Sequence, residues 1–297
     1  MNVKRLPDFI IIGAAKAGTT TLYQYLCRHP QIYMSTPKEP DFFAIESHYD
    51  RGMDWYTSLF SDAEPHQICG EASTTYSRLQ KHPKSLERIV ATLPNIKLIY
   101  IMRQPIDGAY SFYIHRLKGS RYHPELAVSD TFEETIKQQS EFLDNGYYID
   151  CIEKYLGFFA RESCLFLLME DLIKKPGETL NNIFSFIGVD PGIDVVGDNL
   201  VAANKAGDHP DWFVRKQLTA SVNGIPGVAQ VAKLLPKGMR DRAYQLLKGF
   251  QYKKWVETQY MPPPMLPETR QMLVERFREP NRRLAEFLNR DLSHWDK

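Results

Sequence analysis

The chain has 297 residues, of which 43% are hydrophobic and 25% are charged, a composition ordinary for a globular protein with a sizeable core. Its formal net charge is +1, so no global charge excess indicates nucleic acid or an anionic membrane as the partner. Any anion-binding site must therefore be local. One large α/β domain over residues 1–297 fits this size and composition best.

The cysteines and the amino-terminal segment indicate a reducing environment. The eight residues before the first apolar run and the run itself, residues 9–15, are too short for a signal sequence or a membrane span. We therefore expect a cytoplasmic protein without a transmembrane segment. The cysteines are widely spread and lack metal-ligand spacing, which predicts reduced core thiols and no metal site: Cys27, Cys69, Cys151 and Cys164.

The first predicted elements form a strand, a loop and a helix. Residues 9–12 are a short β-branched run that ends at Gly13, a pattern typical of a buried parallel strand. Apolar residues then recur at helical spacing until a His-Pro pair, which predicts a helix over residues 19–28. Thr19 or Thr20 is the expected helix cap.

Further strands and helices alternate along the chain. A helix is predicted over residues 83–93, a strand over 98–102, a third strand over 164–169 and a helix over 176–188. Such alternation predicts a central parallel β-sheet flanked by helices, with a P-loop-like strand-loop-helix for phosphate binding. Residues 8–190 form this predicted core.

The last hundred residues show no strong strand pattern. Three prolines at 262–264 mark a loop, and two helical segments are expected to close the chain, the second begun by Pro280. We interpret residues 191–297 as a helical region that binds the acceptor or forms a lid. Residues 222–254 mix apolar and basic side chains, which indicates either a solvated face or a surface for lipid or an anionic substrate.

The segment GAAKAGTTT, residues 13–21, lies where the first strand passes into the first helix. Small residues allow the backbone to approach a phosphate, a lysine supplies charge, and threonines supply hydroxyl donors at the positive helix end. This pattern predicts an anion site, unless the turn serves packing only and Lys16 points to solvent. Its candidate binding residues are Ala15, Lys16, Ala17, Gly18, Thr19, Thr20 and Thr21.

A kinase or ATPase that uses magnesium and ATP is an alternative interpretation of this loop. Its phosphate loop has the pattern GxxxxGK[ST], with the lysine directly after the second glycine, whereas Lys16 precedes Gly18 here. Only Glu170 and Asp171 follow an apolar run in the way expected of magnesium ligands. A nucleotide-binding scaffold without catalysis is a further alternative.

A second constellation follows the strand at 98–102. Arg103 lies just beyond the carboxyl end of that strand and Ser111 on the next helix, so both can reach the crevice above the sheet. His115 follows Ser111 by four residues and is expected on the same helix face. An arginine at this position is suited to a second phosphate.

GAAKAGTTTL, residues 13–22, and LIYIMRQPIDGAYS, residues 98–111, resemble the two signature segments of sulfotransferases that use 3′-phosphoadenosine 5′-phosphosulfate (PAPS). The resemblance implies that the first segment binds the 5′-phosphosulfate and that Arg103 and Ser111 hold the 3′-phosphate. KEPDFF (38–43), RGMDWY (51–56) and SFYIH (111–115) are similar to segments of the carbohydrate, heparan sulfate branch. This similarity spans residues 9–188 and is weaker beyond them.

The resemblance also implies catalytic roles. Sulfuryl transfer requires in-line geometry and stabilisation of negative charge on the leaving phosphate oxygen, for which Lys16 is the candidate. Glu39 matches the glutamate that serves as base in the carbohydrate branch, although it can also be a surface carboxylate of a proline-flanked loop. His115 matches the histidine that contacts the acceptor in that branch.

Several weaker candidates complete the predicted site. Lys38 and Arg116 are candidates for an anionic acceptor, and Glu71 for orienting Lys16 or contacting substrate; each can equally be a solvated charge. Ala72 stands where the carbohydrate branch usually has lysine, which favours a smaller or less charged acceptor. For the adenine and the 3′-phosphate, the best later stretch supplies Lys205, Trp212 and Phe213.

The expected activity is therefore transfer of a sulfuryl group from PAPS to a hydroxyl or an amine, with adenosine 3′,5′-bisphosphate as the product. PAPS chemistry needs no metal but needs a grip on the 3′-phosphate, whereas a kinase needs GK[ST] and a magnesium ligand. The expected acceptors are a sugar, a lipid headgroup or a hydroxylated metabolite. Peripheral membrane contact is compatible with this expectation, and no nucleic-acid partner is expected.

Overall fold

Five parallel strands form one sheet in the part of the chain that the computed structural model describes, residues 5–120, 127–197 and 262–297. The strands are β1 (Phe9–Gly13), β2 (Ile32–Met34), β3 (Ile68–Ala72), β4 (Lys97–Met102) and β5 (Cys164–Leu168). Their order across the sheet is β2-β3-β1-β4-β5, and every neighbouring pair is parallel. The carboxyl ends of all five strands therefore lie along one edge.

Helices supply the crossover connections that parallel strands require. One helix follows β1, two precede β3, one precedes β4 and four precede β5. The described helices are α1 (Thr19–Leu26), α2 (Glu46–Tyr49), α3 (Gly52–Ser58), α4 (Lys84–Thr92), α5 (Pro105–Ser120), α6 (Phe132–Gln138), α7 (Glu141–Asp144), α8 (Tyr148–Leu156), α9 (Met169–Lys174), α10 (Pro176–Ile187) and α11 (Pro267–Leu288).

The central strand β1 is buried along its whole length, as its apolar sequence predicts. Phe9 pairs in register with Gly70 of β3, and a Cβ atom on Gly70 would lie 2.2 Å from the Phe9 ring. The glycine therefore makes room for the aromatic ring within the sheet. Carbon atoms cannot approach so closely, so a larger residue at position 70 would displace β1 or β3.

The apolar contacts of α5 fix the helix that carries Ser111 and His115. One buried cluster joins Ile106, Phe112 and Tyr113 of α5 to Phe132 of α6 and Phe277 of α11. The large sheet cluster lies separately and includes β1 and β4. Close packing of such side chains restricts movement of a helix relative to its neighbours. The face of α5 that bears the candidate residues is thereby held in one orientation.

The predicted parallel α/β fold is confirmed, with two strands more than the sequence pattern indicated. The missed strands, β2 and β3, have only three and five residues, and β3 contains a glycine and a glutamate. Neither shows the apolar run that identified β1, β4 and β5. The predicted helix at 176–188 is also confirmed, since α10 ends at Gly188 in the left-handed conformation.

Four details of the prediction were wrong. Helix α1 ends at Leu26 rather than at residue 28, and Met169 begins α9 rather than ending β5. Pro280 lies inside α11, which continues through it because the buried stripe on both sides of the proline packs as one face. Cys27 is exposed, whereas the other three cysteines are buried, and all four are free thiols.

Candidate functional site

Three loops meet at the carboxyl edge of the sheet. Ala14 N–H, just after β1, donates to the Ile101 carbonyl of β4 at 2.7 Å, and Ser73 N–H, just after β3, donates to the Ile11 carbonyl at 3.0 Å. Glu39 N–H donates to the Ala72 carbonyl at 3.0 Å. Backbone hydrogen bonds of this kind fix loops to the sheet, so the segments that follow β1, β2 and β3 share one edge.

The loop after β1 leads into the amino terminus of α1, which therefore begins at that edge. Gly13, Lys16 and Gly18 all have positive φ, at 148°, 64° and 87°. Gly18 is the N-cap, and no described side chain caps this end, so the predicted threonine cap was wrong. The first-turn N–H groups lack intrahelical partners and carry the positive end of the helix dipole. These N–H groups belong to Thr19, Thr20 and Thr21.

The small residues of the loop pack beneath it. Ala17 is fully buried, and Ala15 packs against the apolar cluster of α5. A larger side chain at position 15 would displace the loop from α5, and one at position 17 would displace it from the sheet cluster, because both spaces are already filled. The alanines therefore hold the lysine loop against the sheet and α5.

Lys16 lies among other cations. Arg103 Nη1 donates to the Lys16 carbonyl at 3.3 Å, which joins the two predicted phosphate-binding segments. Burial and the nearby charge of Lys118 lower the pKa of Lys16, the charges of Arg103 and Lys38 lower it further, and Glu39 opposes this effect. Like charges held together in a crevice favour the binding of an anion.

Glu39 is held close to Lys16 by an unusual backbone. Its φ is 59°, its side chain is 41% exposed, and Lys38 Nζ donates to its Oε1 at 2.5 Å. The charge of Glu39 affects the pKa of both Lys16 and His115. The predicted base therefore lies near enough to the lysine and the histidine for its charge to act on both.

His115 and Ser111 both lie on α5, four residues apart, as predicted. His115 is an exposed residue of this helix. The protein around the ring lowers the pKa of His115 to about 4, and the charge of Lys16 contributes. The imidazole is therefore neutral near pH 7, with one ring nitrogen able to donate and the other able to accept.

Two of the weaker candidates have other partners. Arg116 Nη2 lies 3.4 Å from Glu141, a carboxylate that Arg78 also contacts at 3.0 Å. Glu71 is completely buried, and its Oε2 accepts a hydrogen bond from Tyr56 at 2.5 Å. Glu71 has no exposed surface, so the alternative that it is a solvated charge was wrong. Arg116, Arg78 and Lys81 share the single carboxylate of Glu141.

The proposed magnesium ligands of the kinase alternative contact basic side chains instead. Asp171 accepts two hydrogen bonds from Arg290, each of 3.0 Å. Glu170 lies 2.8 Å from the Nε2 atom of His294. Both carboxylates therefore tie α9 to the segment after α11.

Some predicted residues lie outside the described part of the chain, and others were missed. Lys205, Trp212, Phe213 and residues 222–254 fall outside the described residues. Lys118 was missed, although it follows Ser111 by seven residues and His115 by three, a helical spacing that signals the same face. Asp41, which lies two residues after Glu39, was also missed. Burial raises the pKa of Asp41 to about 6.

No helix within the described ranges is long and apolar enough to span a membrane.

A profile of the Sulfotransferase domain family matches residues 6–206, more than half of the chain. The chain therefore belongs to the sulfotransferase family. The predicted resemblance is confirmed, and the comparisons do not support the kinase alternative. The family uses PAPS as its co-substrate and transfers a sulfuryl group.

Two relatives illustrate the similarity. Bifunctional heparan sulfate N-deacetylase/N-sulfotransferase 3 of Homo sapiens is 32% identical over 203 residues, which cover 63% of this chain and 23% of that protein. Bifunctional heparan sulfate N-deacetylase/N-sulfotransferase 2 of Homo sapiens is 31% identical over 206 residues, which cover 63% of this chain and 22% of that protein. The chain thus spans less than a quarter of these relatives' length.

A solved structure has the same fold. The crystal structure of a sulfotransferase from Alicyclobacillus acidocaldarius matches with a TM-score of 0.65 and 23% identity, over 99% of this chain and 100% of that chain. The agreement concerns the fold.

Proposed function

We propose that this chain transfers the sulfuryl group of PAPS to an amine or a hydroxyl of a glycan or a smaller acceptor, with Lys16, Glu39 and His115 as the catalytic residues. The observation that carries the proposal is the grouping of these side chains. The charge of Glu39 acts on the pKa of both Lys16 and His115, and the charge of Lys16 acts on that of His115. Family membership supports the donor class.

The residues present fit a donor with two separated phosphate groups. The uncapped first turn of α1 offers N–H donors to the 5′-phosphosulfate, and Lys16 adds positive charge beside them. Arg103 is bonded to the backbone of that same loop and can hold the 3′-phosphate, together with the Ser111 hydroxyl. Two anchoring points fix the direction of the sulfur–oxygen bond that breaks.

In the proposed step, the acceptor oxygen or nitrogen forms a bond to sulfur while the bond from sulfur to the 5′-phosphate oxygen breaks. The electron pair of the broken bond stays on the phosphate oxygen, where Lys16 stabilises it. The acceptor proton passes to the Glu39 carboxylate. Glu39 is exposed enough to meet an acceptor and is oriented by Lys38.

His115 orients the acceptor in this proposal. Its pKa of about 4 keeps the ring neutral, so it adds no further charge beside Lys16. A neutral imidazole can donate a hydrogen bond to, or accept one from, a hydroxyl or an amine.

The acceptor class follows from which charges remain available. The relatives' names specify a nitrogen acceptor on heparan sulfate. In this chain Ala72 stands where the carbohydrate branch usually has lysine, and it provides no cation. This feature supports an acceptor with fewer anionic groups than a heavily sulfated polysaccharide, such as an aminosugar or a short glycan.

Calorimetric titration with adenosine 3′,5′-bisphosphate, and separately with ATP and magnesium, tests the donor class without knowledge of the acceptor. We expect binding of the bisphosphate without added metal. Labelled PAPS with aminosugars, N-acetylated sugars and sulfated oligosaccharides then tests the acceptor. Preference for magnesium-ATP would overturn the proposal, and transfer only to highly sulfated oligosaccharides would overturn the acceptor class.

A further inference from the structure

Glu71 is a fully buried carboxyl group next to Ala72, whose carbonyl accepts a hydrogen bond from the backbone of the candidate base Glu39. It lies on β3, one residue before Ala72, and none of its surface is exposed. Tyr56 of α3 donates to its Oε2 at 2.5 Å. Its Oε1 is buried, and no described residue forms a hydrogen bond of ordinary geometry with it. Burial of such a group is costly, so a specific role is expected of it.

The residues around Glu71 hold every second backbone N–H of the Glu39 segment. Glu39 N–H donates to the Ala72 carbonyl at 3.0 Å. Asp41 N–H donates to Ser73 Oγ at 3.0 Å, and Phe43 N–H donates to Tyr76 Oη at 3.3 Å. All three acceptors follow Glu71 within five positions of the chain. The residues at and just after the end of β3 therefore hold the backbone of residues 39–43 in place.

We propose that Glu71 is a positioning residue: it holds Tyr56, whose ring stacks on Phe42 with 4.5 Å between centroids, and so fixes the segment 39–43 and the direction of the Glu39 carboxylate. The inference rests on the proposed role of Glu39 as base. Glu39 and Asp41 both have left-handed backbones, which the chain adopts only where its surroundings hold it. A buried hydrogen-bonded network provides that restraint.

The stability of this arrangement depends on the charge state of Glu71. Burial raises the pKa of Glu71 to about 7, and the charge of Asp41 adds to the rise. Three hydroxyl groups oppose it, those of Tyr56, Tyr76 and Ser73. Because the pKa is higher than in the unfolded chain, the folded state is disfavoured as pH rises from about 4.5 through about 7.

Hydrogen–deuterium exchange of the full chain tests the proposal independently of catalysis. In Glu71→Ala, we expect amides of residues 39–43 to exchange about tenfold faster, the size expected for loss of a stabilising hydrogen bond. Residues 13–18 should exchange as before, and bisphosphate binding should be unchanged. Glu64→Ala, which removes a carboxylate that is 68% exposed, is the matched control. Equal change in both segments, or no change in 39–43, would overturn the proposal.

Glu71→Gln keeps the shape of the side chain and tests the proposal even if the alanine variant fails to fold. It should show slow exchange and a kcat near that of the wild type at pH 6.

The difference in Tm between Glu71→Gln and the wild type should grow in favour of the variant from pH 5 to pH 8, because the variant buries no charge. A constant difference would overturn the charge argument. Absence of sulfuryl transfer by the wild type would contradict the proposed function, while the exchange data would still decide the role of Glu71.

Discussion

Positive side chains at the carboxyl edge of the sheet and on helix α11 have opposite surroundings. Along α11 the arginines meet carboxylates: Arg282 contacts Glu279 at 2.8 Å, and Arg283 contacts Asp150 at 3.0 Å. Among the described residues, neither Lys16 nor Arg103 forms an ion pair, and like charges surround Lys16. Charges neutralised within the protein support its structure, whereas concentrated cations with a lowered pKa indicate where an anion binds.

Glu39→Gln should have the largest effect on activity, because it removes the proposed base but keeps the loop. We expect kcat to fall by about 10²-fold to 10⁴-fold, the range for loss of general-base catalysis. Steady-state transfer from PAPS is the measurement, with Kd for adenosine 3′,5′-bisphosphate as the control for folding. A kcat near the wild-type value at neutral pH would show that another group accepts the proton.

Lys16→Ala should lower kcat by about 10²-fold to 10³-fold, as expected for loss of one group that stabilises the developing charge. Donor binding should change less, because the helix terminus and Arg103 remain. Arg282→Ala on α11 is the matched control, since it removes an exposed cation already paired with carboxylates, and its activity should be unchanged. Equal losses in kcat and in donor affinity would instead assign Lys16 to ground-state binding.

Arg103→Ala should weaken binding of adenosine 3′,5′-bisphosphate by about tenfold to 10²-fold, the size of a lost hydrogen bond to a charged group. Binding of adenosine 5′-phosphosulfate, which has no 3′-phosphate, should change much less. Calorimetric titration of both nucleotides measures the difference. Equal weakening of the two would mean that Arg103 acts through the Lys16 loop, to which it is bonded, rather than on the 3′-phosphate.

His115→Gln should have the smallest effect of these variants. The effect is best measured as the dependence of Tm on pH. The pKa of His115 is lowered from its usual 6.5 to about 4, so the wild type loses stability as pH falls from about 6.5 to about 4. The glutamine variant lacks this loss, so its Tm relative to the wild type should rise over that range. An NMR titration of the ring with a midpoint near 6.5 would contradict the lowered pKa.

The sequence could predict features that depend on neighbours along the chain. The strands β1, β4 and β5 follow from their apolar runs, the phosphate-binding loop from GAAKAGTTT, and the shared face of Ser111 and His115 from helical spacing. These patterns arise from local backbone geometry and from the periodicity of regular elements. They also sufficed to indicate the sulfotransferase family.

Only the tertiary structure decided which charges remain available and which are buried. Arg116 and Glu71 looked equivalent to other loop and helix charges, but Glu141 binds the first and tyrosines enclose the second. Pro280 and the short strands β2 and β3 likewise depend on partners distant in sequence. Such pairing depends on long-range packing, which outweighs local preference and is not encoded in the residue pattern of a single segment.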